Sequence, residues 1–165
     1  MQAIKSTLAL LLLCSCSGQR TWAVQRGTST AKEHDSSKLV HTSSHLELEF
    51  LRVEKTVDCF LIVKGSPIPA NPKKPKETLL RIETETDSIS VPLIRHSGGQ
   101  KFSFTEQAKD ALWKCLEEKK PFRISLATYS MTIDPTGFED SYDKFSEAPF
   151  IRNPFREAQV KVDPQ

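Results

Sequence analysis

The chain has 165 residues, a formal net charge of +2 from 23 Lys and Arg against 21 Asp and Glu, and four cysteines. That length suits one domain with a genuine hydrophobic core. The near-balance of evenly mixed charge leaves no electrostatic footprint for nucleic acid.

The N-terminus has the layout of an export signal: one positive charge, Lys5, then an unbroken apolar run from Leu8 to Cys14. The run is too short to cross a bilayer, which takes about 20 apolar residues. It ends in Leu13-Cys14-Ser15-Cys16, and these residues resemble the lipobox of bacterial lipoproteins. Leu13 supplies the aliphatic residue, Ser15 the small one and Cys16 the modifiable cysteine, while Cys14 departs from the pattern. The resemblance implies a signal peptide over 1–15, acylation of Cys16, palmitate included, and an anchor in the lipid of the cell envelope. Two or three acyl chains hold stably where one is marginal. Ser17 in place of Asp implies sorting to the outer membrane of a Gram-negative cell. The alternative is an ordinary cut after Ala23, with Thr21 and Ala23 as the small residues of the site, and a periplasmic or secreted product.

Residues 16–44 read as a flexible tether, rich in Ser and Thr and without apolar periodicity. A single folded domain is expected over 45–145. Leu46, Leu48 and Phe50 alternate with Glu47 and Glu49 as a half-buried strand. Val57, Cys59, Leu61 and Val63 form one face of a second, central strand, with Phe60 and Ile62 on the other. Gly65 to Glu77 carries Pro67, Pro69, Pro72 and Pro75 among Lys73, Lys74 and Lys76, so it is an exposed loop. Strands follow over 79–84 and 89–94, then a glycine turn at His96 to Gln100 and a short strand at Phe102 to Phe104.

Ala108, Ala111, Leu112, Cys115 and Leu116 share one stripe of a helix over about 105–120, capped by Thr105 and stopped by Pro121. Residues 122–133 read as one long strand whose phase change near Ala127-Thr128 suggests a bulge. Asp134-Pro135-Thr136-Gly137 is a turn, and Phe138, Tyr142 and Phe145 mark a short helix. Residues 146–165 are an irregular tail with Pro149, Pro154 and Pro164, whose Phe150, Ile151 and Phe155 either dock back or meet a partner. The fold class is α+β: an antiparallel sheet or flattened β-sandwich with the 105–120 helix packed on a face.

The sequence carries no recognisable catalytic pattern. No Gly-x-Ser-x-Gly elbow or phosphate-cradling loop occurs. His34, His41 and His45 cluster, but without helical periodicity or the glutamate of the zincin pattern, so no metal and no cofactor are expected. His96-Ser97-Gly98 reads as turn chemistry, and Glu83, Glu85 and Asp87 as a solvated row. Cys59 and Cys115 are a candidate disulfide, which would add about 4 kcal/mol in the chain-entropy model; two separate buried thiols are the equal alternative. Asn71 and Asn153 both precede Pro, so no N-glycosylation acceptor exists. Lys73, Lys74 and Lys76 are candidates to contact an anionic surface.

The stretch from Ala108 to Phe145 resembles the ending of small exported bacterial proteins of the invasion-associated locus B type. They also run helix, basic turn, strand, then a Gly-Phe opening a short helix, here Leu116 to Lys120, 122–133 and Gly137-Phe138 with Tyr142. That resemblance implies an exported, surface-associated, non-enzymatic role. The expectation is a non-enzymatic envelope lipoprotein whose partner is an envelope protein or anionic glycan. The alternative is a secreted, unlipidated domain that binds or inhibits a host factor.

Overall fold

The computed structural model describes residues 22–28, 35–147 and 154–157. The signal, Cys16, His34, Phe150 and Ile151 lie outside the described residues. Nine strands form one antiparallel sheet: β1 (Trp22–Thr28), β2 (Asp35–Thr42), β3 (Leu46–Val53), β4 (Thr56–Val63), β5 (Glu77–Glu83), β6 (Ser88–Arg95), β7 (Lys101–Phe104), β8 (Phe122–Leu126) and β9 (Tyr129–Ile133). Their order across the sheet is β1-β2-β3-β4-β7-β6-β5-β8-β9. Helix α1 (Glu106–Glu117) follows β7, α2 (Phe138–Ser146) follows β9, and α3 (Pro154–Glu157) lies near the C-terminus.

Two strands correct the tether expected over 16–44. β1 and β2 pair along seven residues, Trp22 opposite His41 through Thr28 opposite Asp35, and β2 pairs with β3. The folded unit therefore includes Trp22 and does not begin at His45. Trp22, Leu39 and Val40 are buried. Three scattered apolar residues are too sparse to register as a pattern, yet enough once a neighbouring strand supplies the ladder.

The hydrogen-bond register draws a continuous row across six strands. It runs Trp22, His41, Leu48, Leu61, Phe102, Arg95. Beyond it the Arg95 N–H donates to the carbonyl of Lys76 at 2.8 Å. The sheet curls until its far edge returns to its start. The rings of Tyr129 and His45 lie 6.2 Å apart, and the Trp22 indole N–H donates to the Asp134 carbonyl at 2.9 Å.

One sheet face is the core. Leu48, Phe50, Leu61, Leu80, Val91, Leu93, Ile124 and Ile133 point inward and are buried. α1 packs on β6 and β7, and α2 on β1 and β2. Between them Trp113, Phe138 and Tyr142 form edge-on and tilted ring contacts at 5.3 to 5.6 Å, geometry that adds to area burial. Trp113 belongs to this centre although it lies off the expected apolar stripe. Phe155 of α3 docks on it, 5.6 Å from the Trp113 ring.

Two elements differ from expectation. The long strand over 122–133 is a hairpin, Phe122 opposite Ile133 and Leu126 opposite Tyr129. The phase change at Ala127-Thr128 is a two-residue reversal with Ala127 at φ 52°. A turn and a bulge both break the alternation, and only a pairing partner tells them apart. Helix α1 is capped by Thr105, whose hydroxyl accepts from the Ala108 N–H, but ends at Glu117. Lys119 at φ 55° closes it in the left-handed conformation, before Pro121 is reached.

Candidate functional site

The loop between β4 and β5 spans 64–76 and is pinned at defined points. Ile68 is buried; its N–H donates to the Gly99 carbonyl at 2.8 Å, and its carbonyl accepts from the Arg95 guanidinium at 3.1 Å. Gly99 permits this approach: at φ 67°, a Cβ there would meet the Arg95 guanidinium and the Ile68 carbonyl. Gly65 does the same beneath the Tyr129 ring, whose hydroxyl donates to the Ser66 carbonyl at 3.0 Å.

The lysines sit on a built turn. The Asn71 side-chain oxygen accepts from the Lys73 N–H at 2.9 Å, and the Asn71 carbonyl from the Lys74 N–H at 3.1 Å. This is the local bonding that Asn supplies in turns, and Pro72 and Pro75 stiffen it. Lys73, Lys74 and Lys76 are all exposed. Lys74 pairs with Glu77 at 2.8 Å, a surface pair of small energetic consequence. An open groove of about 580 Å³ lies beside them, lined by Ile68, Pro69, Ala70, Lys74 and Leu79. Leu79 is 63% exposed and Ile94 48%, both on the outer face of neighbouring strands. The apolar floor meets a polar rim of Asn71, Thr78 and the Lys74–Glu77 pair, with Lys73 and Lys76 exposed on the adjoining turn.

The other candidates fall elsewhere. Cys59 and Cys115 are free and buried, so the bridge left open by the sequence is not formed. Cys59 lies on the inward face of β4 opposite Phe50, and Cys115 on α1 beside the 84–86 turn. Burial pushes both thiols up, that of Cys115 to about 11.

His41 is 6% exposed, and neither ring nitrogen has a hydrogen-bond partner. It stands edge-on to Trp22 at 4.8 Å. Burial holds its pKa below the ordinary 6.5, against the opposing pull of Asp134. His45 is in a turn beside Tyr129, so the two histidines do not converge. Among the described residues no group of three or more His, Cys, Asp or Glu is placed to hold a metal ion.

Sequence reasoning missed two polar arrangements. Glu49 is a 2% exposed carboxylate on the outer face, 2.7 Å from Lys38 Nζ and 3.7 Å from Lys101 Nζ; Lys101 also sits 3.8 Å from the Phe60 ring centre. Alternation with Leu48 and Phe50 marks Glu49 as outward-facing, and only the pairing of β2, β3 and β4 brings cations to it. His96 Nε2 lies 2.6 Å from Ser103 Oγ. That pair is on open sheet surface, and among the described residues no carboxylate is bonded to His96. Glu85 and Asp87 are exposed, and Glu83 pairs with Arg81 at 3.0 Å.

No family model, curated protein or solved structure matches the chain.

Proposed function

We propose that the chain is a non-enzymatic cell-envelope lipoprotein, anchored through an acylated Cys16, whose sheet domain is a binding or structural module at the membrane surface. The observation that supports this most is the place of Trp22. It is 3% exposed, packs against His41 and Phe138 at 4.8 Å each, and bonds to Asp134. Cleavage after Ala23 would remove that indole and the first two pairs of the β1–β2 ladder, Trp22 with His41 and Ala23 with Val40. Cleavage before Cys16 leaves the strand whole. The lipobox-like residues and the core thus favour the same processing event.

A binding role also accords with where the polar groups stand. Lysines 73, 74 and 76 and the His96–Ser103 pair are on loop and sheet surface, where water competes for any charge developed in a reaction. The partner class is an envelope protein or an anionic surface.

The intact mass of the mature protein, extracted from its native membrane fraction, tests the anchor. A chain beginning at Cys16 with added acyl mass is expected. C16A should release the protein from the membrane fraction. A bare chain beginning at Val24 would overturn the reading and make the protein a secreted one.

A further inference from the structure

We propose that His41 is the catch of an acid-sensitive latch, and that its protonation frees β1, the edge strand, while the rest of the sheet holds.

Three observations carry this. The first is a buried base without a partner. His41 is 6% exposed, and neither ring nitrogen is hydrogen-bonded. Charging it in place would bury a cation together with two unsatisfied N–H donors. Opening to water removes both costs.

The second is what covers it. In the ladder His41 lies between Trp22 of β1 and Leu48 of β3. The Trp22 ring stands edge-on to it at 4.8 Å, and Phe138 of α2 packs on the same indole. None of these three side chains is charged. Arg26, the cation of β1, is toward the far end of the strand, 3.6 Å from Glu147. Glu47 and Glu49 of β3 turn outward, to Lys64 and to Lys38. On α2, Glu139 pairs with Lys119, Asp140 and Lys144 line the groove beside β1, and Asp143 acts on Tyr142. The charge that reaches His41 is that of Asp134, whose attraction is outweighed by burial.

The third is how lightly β1 is fastened. It pairs with β2 and, among the described residues, with no other strand. Ala23, Gln25 and Arg26 are exposed and Val24 is half-buried, which leaves Trp22 as the buried side chain that secures it. An open groove of about 450 Å³ makes the packing of β1 on α2 incomplete. The ring that holds the strand is therefore the ring that covers the imidazole. Sub-global opening is drawn from such thinly packed segments.

Below about pH 6.5 the opened state binds a proton that the closed sheet refuses, so acid favours opening. Between about pH 7.5 and 5.5 the opening equilibrium should rise by up to about tenfold. One consequence rests on the lipoprotein reading. Closed, β1 keeps the sheet six residue steps from Cys16, about 20 Å at full extension. Freed, it leaves nineteen steps from Cys16 to Asp35, about 65 Å. Acid would then lengthen the connection between anchor and domain.

The test is amide hydrogen exchange on the chain from residue 16 with C16S, which contains every described residue and carries no lipid. Protection factors, which divide out the intrinsic pH dependence of exchange, are compared for 22–28 and for β4 at about pH 7.5 and 5.5. β1 should be less protected than β4 at both, and its protection should fall by up to about tenfold on acidification. H41F and H41Q both remove the titrating group, one keeping an apolar ring and the other a neutral polar side chain. In whichever of them folds, β1 protection should be the same at the two pH values. Equal protection of β1 and β4 would mean that β1 opens only with the whole fold, and would overturn the proposal. So would β1 protection that does not fall in the parent, or a fall that the variants retain. An unacylated native mass would defeat the anchor while leaving the latch standing, and a β1 indifferent to pH would do the reverse.

Discussion

The Trp22 indole donates to the Asp134 carbonyl across 112 positions of sequence, tying the first strand of the sheet to the residue that follows the last. The bond seals the point where the curled sheet meets itself, with Phe50 and Phe138 against the same ring. W22A removes a buried aromatic and leaves a cavity, a change that costs about 3 to 5 kcal/mol. W22F keeps most of the packing and loses the hydrogen bond, for about 1 to 2 kcal/mol. Urea unfolding of the two variants should separate in that order; equal midpoints would place Trp22 outside the cooperative unit.

His41 makes stability depend on pH. Its folded pKa lies below the ordinary 6.5 because burial disfavours the imidazolium. As pH falls through about 6.5, the unfolded chain takes up a proton that the folded one refuses. Stability is therefore highest above that pH and declines on acidification until the folded pKa is passed. Asp134, held below its usual range by the Thr136 backbone N–H and side chain, contributes in a lower window. Unfolding midpoints at about pH 7.5 and 5.5 should differ in the parent, and by less in H41F; an equal difference in both would assign the slope elsewhere.

Gly99 and Gly98 are neighbours with different reasons for positive φ. A Cβ at Gly98 meets nothing within 4 Å, whereas one at Gly99 meets the Arg95 guanidinium and the Ile68 carbonyl. G98A is expected to cost about 1 kcal/mol from conformation alone. G99A adds displacement of the loop anchor and should cost about 2 to 3 kcal/mol. Limited proteolysis between 64 and 77 should accelerate in G99A and stay unchanged in G98A.

Ala127 turns the β8–β9 hairpin at φ 52°, a conformation glycine adopts without the Cβ penalty. A127G should raise stability by about 0.5 to 1 kcal/mol, the conformational relief outweighing the greater freedom of the unfolded chain. A loss of stability would mean that the Ala127 side chain contributes packing.

Cys59 and Cys115 should react with Ellman's reagent slowly in the folded C16S chain and rapidly in guanidinium, two thiols per molecule. Burial keeps both in the unreactive neutral form. A native mass two daltons low, restored by reductant, would show a bridge that the folded positions do not make.

Much of the architecture was legible because it is written locally. Leu46, Leu48 and Phe50 announce β3 by alternation, and Ala108, Leu112, Cys115 and Leu116 announce α1 by helical spacing, with the Thr105 cap one residue before it. The proline loop, the glycine turn and the Phe138-Tyr142-Phe145 face needed nothing beyond themselves. The lysines of the candidate surface were equally plain as residues. An antiparallel sheet with helices on one face follows from such signals.

Tertiary structure alone decided what depends on partners. Trp22 on β1 and Leu39 and Val40 on β2 are too few to announce two strands, which form because β3 offers an edge and α2 a roof. The phase break at Ala127-Thr128 is silent about whether the chain bulges or reverses until β9 is seen to pair with β8. Glu49 alternates like any solvated residue, and is buried by Val40 and Phe60 beside it and by the cations Lys38 and Lys101 carried on other strands. The row from Trp22 to Arg95 likewise exists only in the assembled ladder. Periodicity along a chain reports which side of one element is apolar; which element covers that side, and which loops share an end of the sheet, is settled by contacts far apart in sequence.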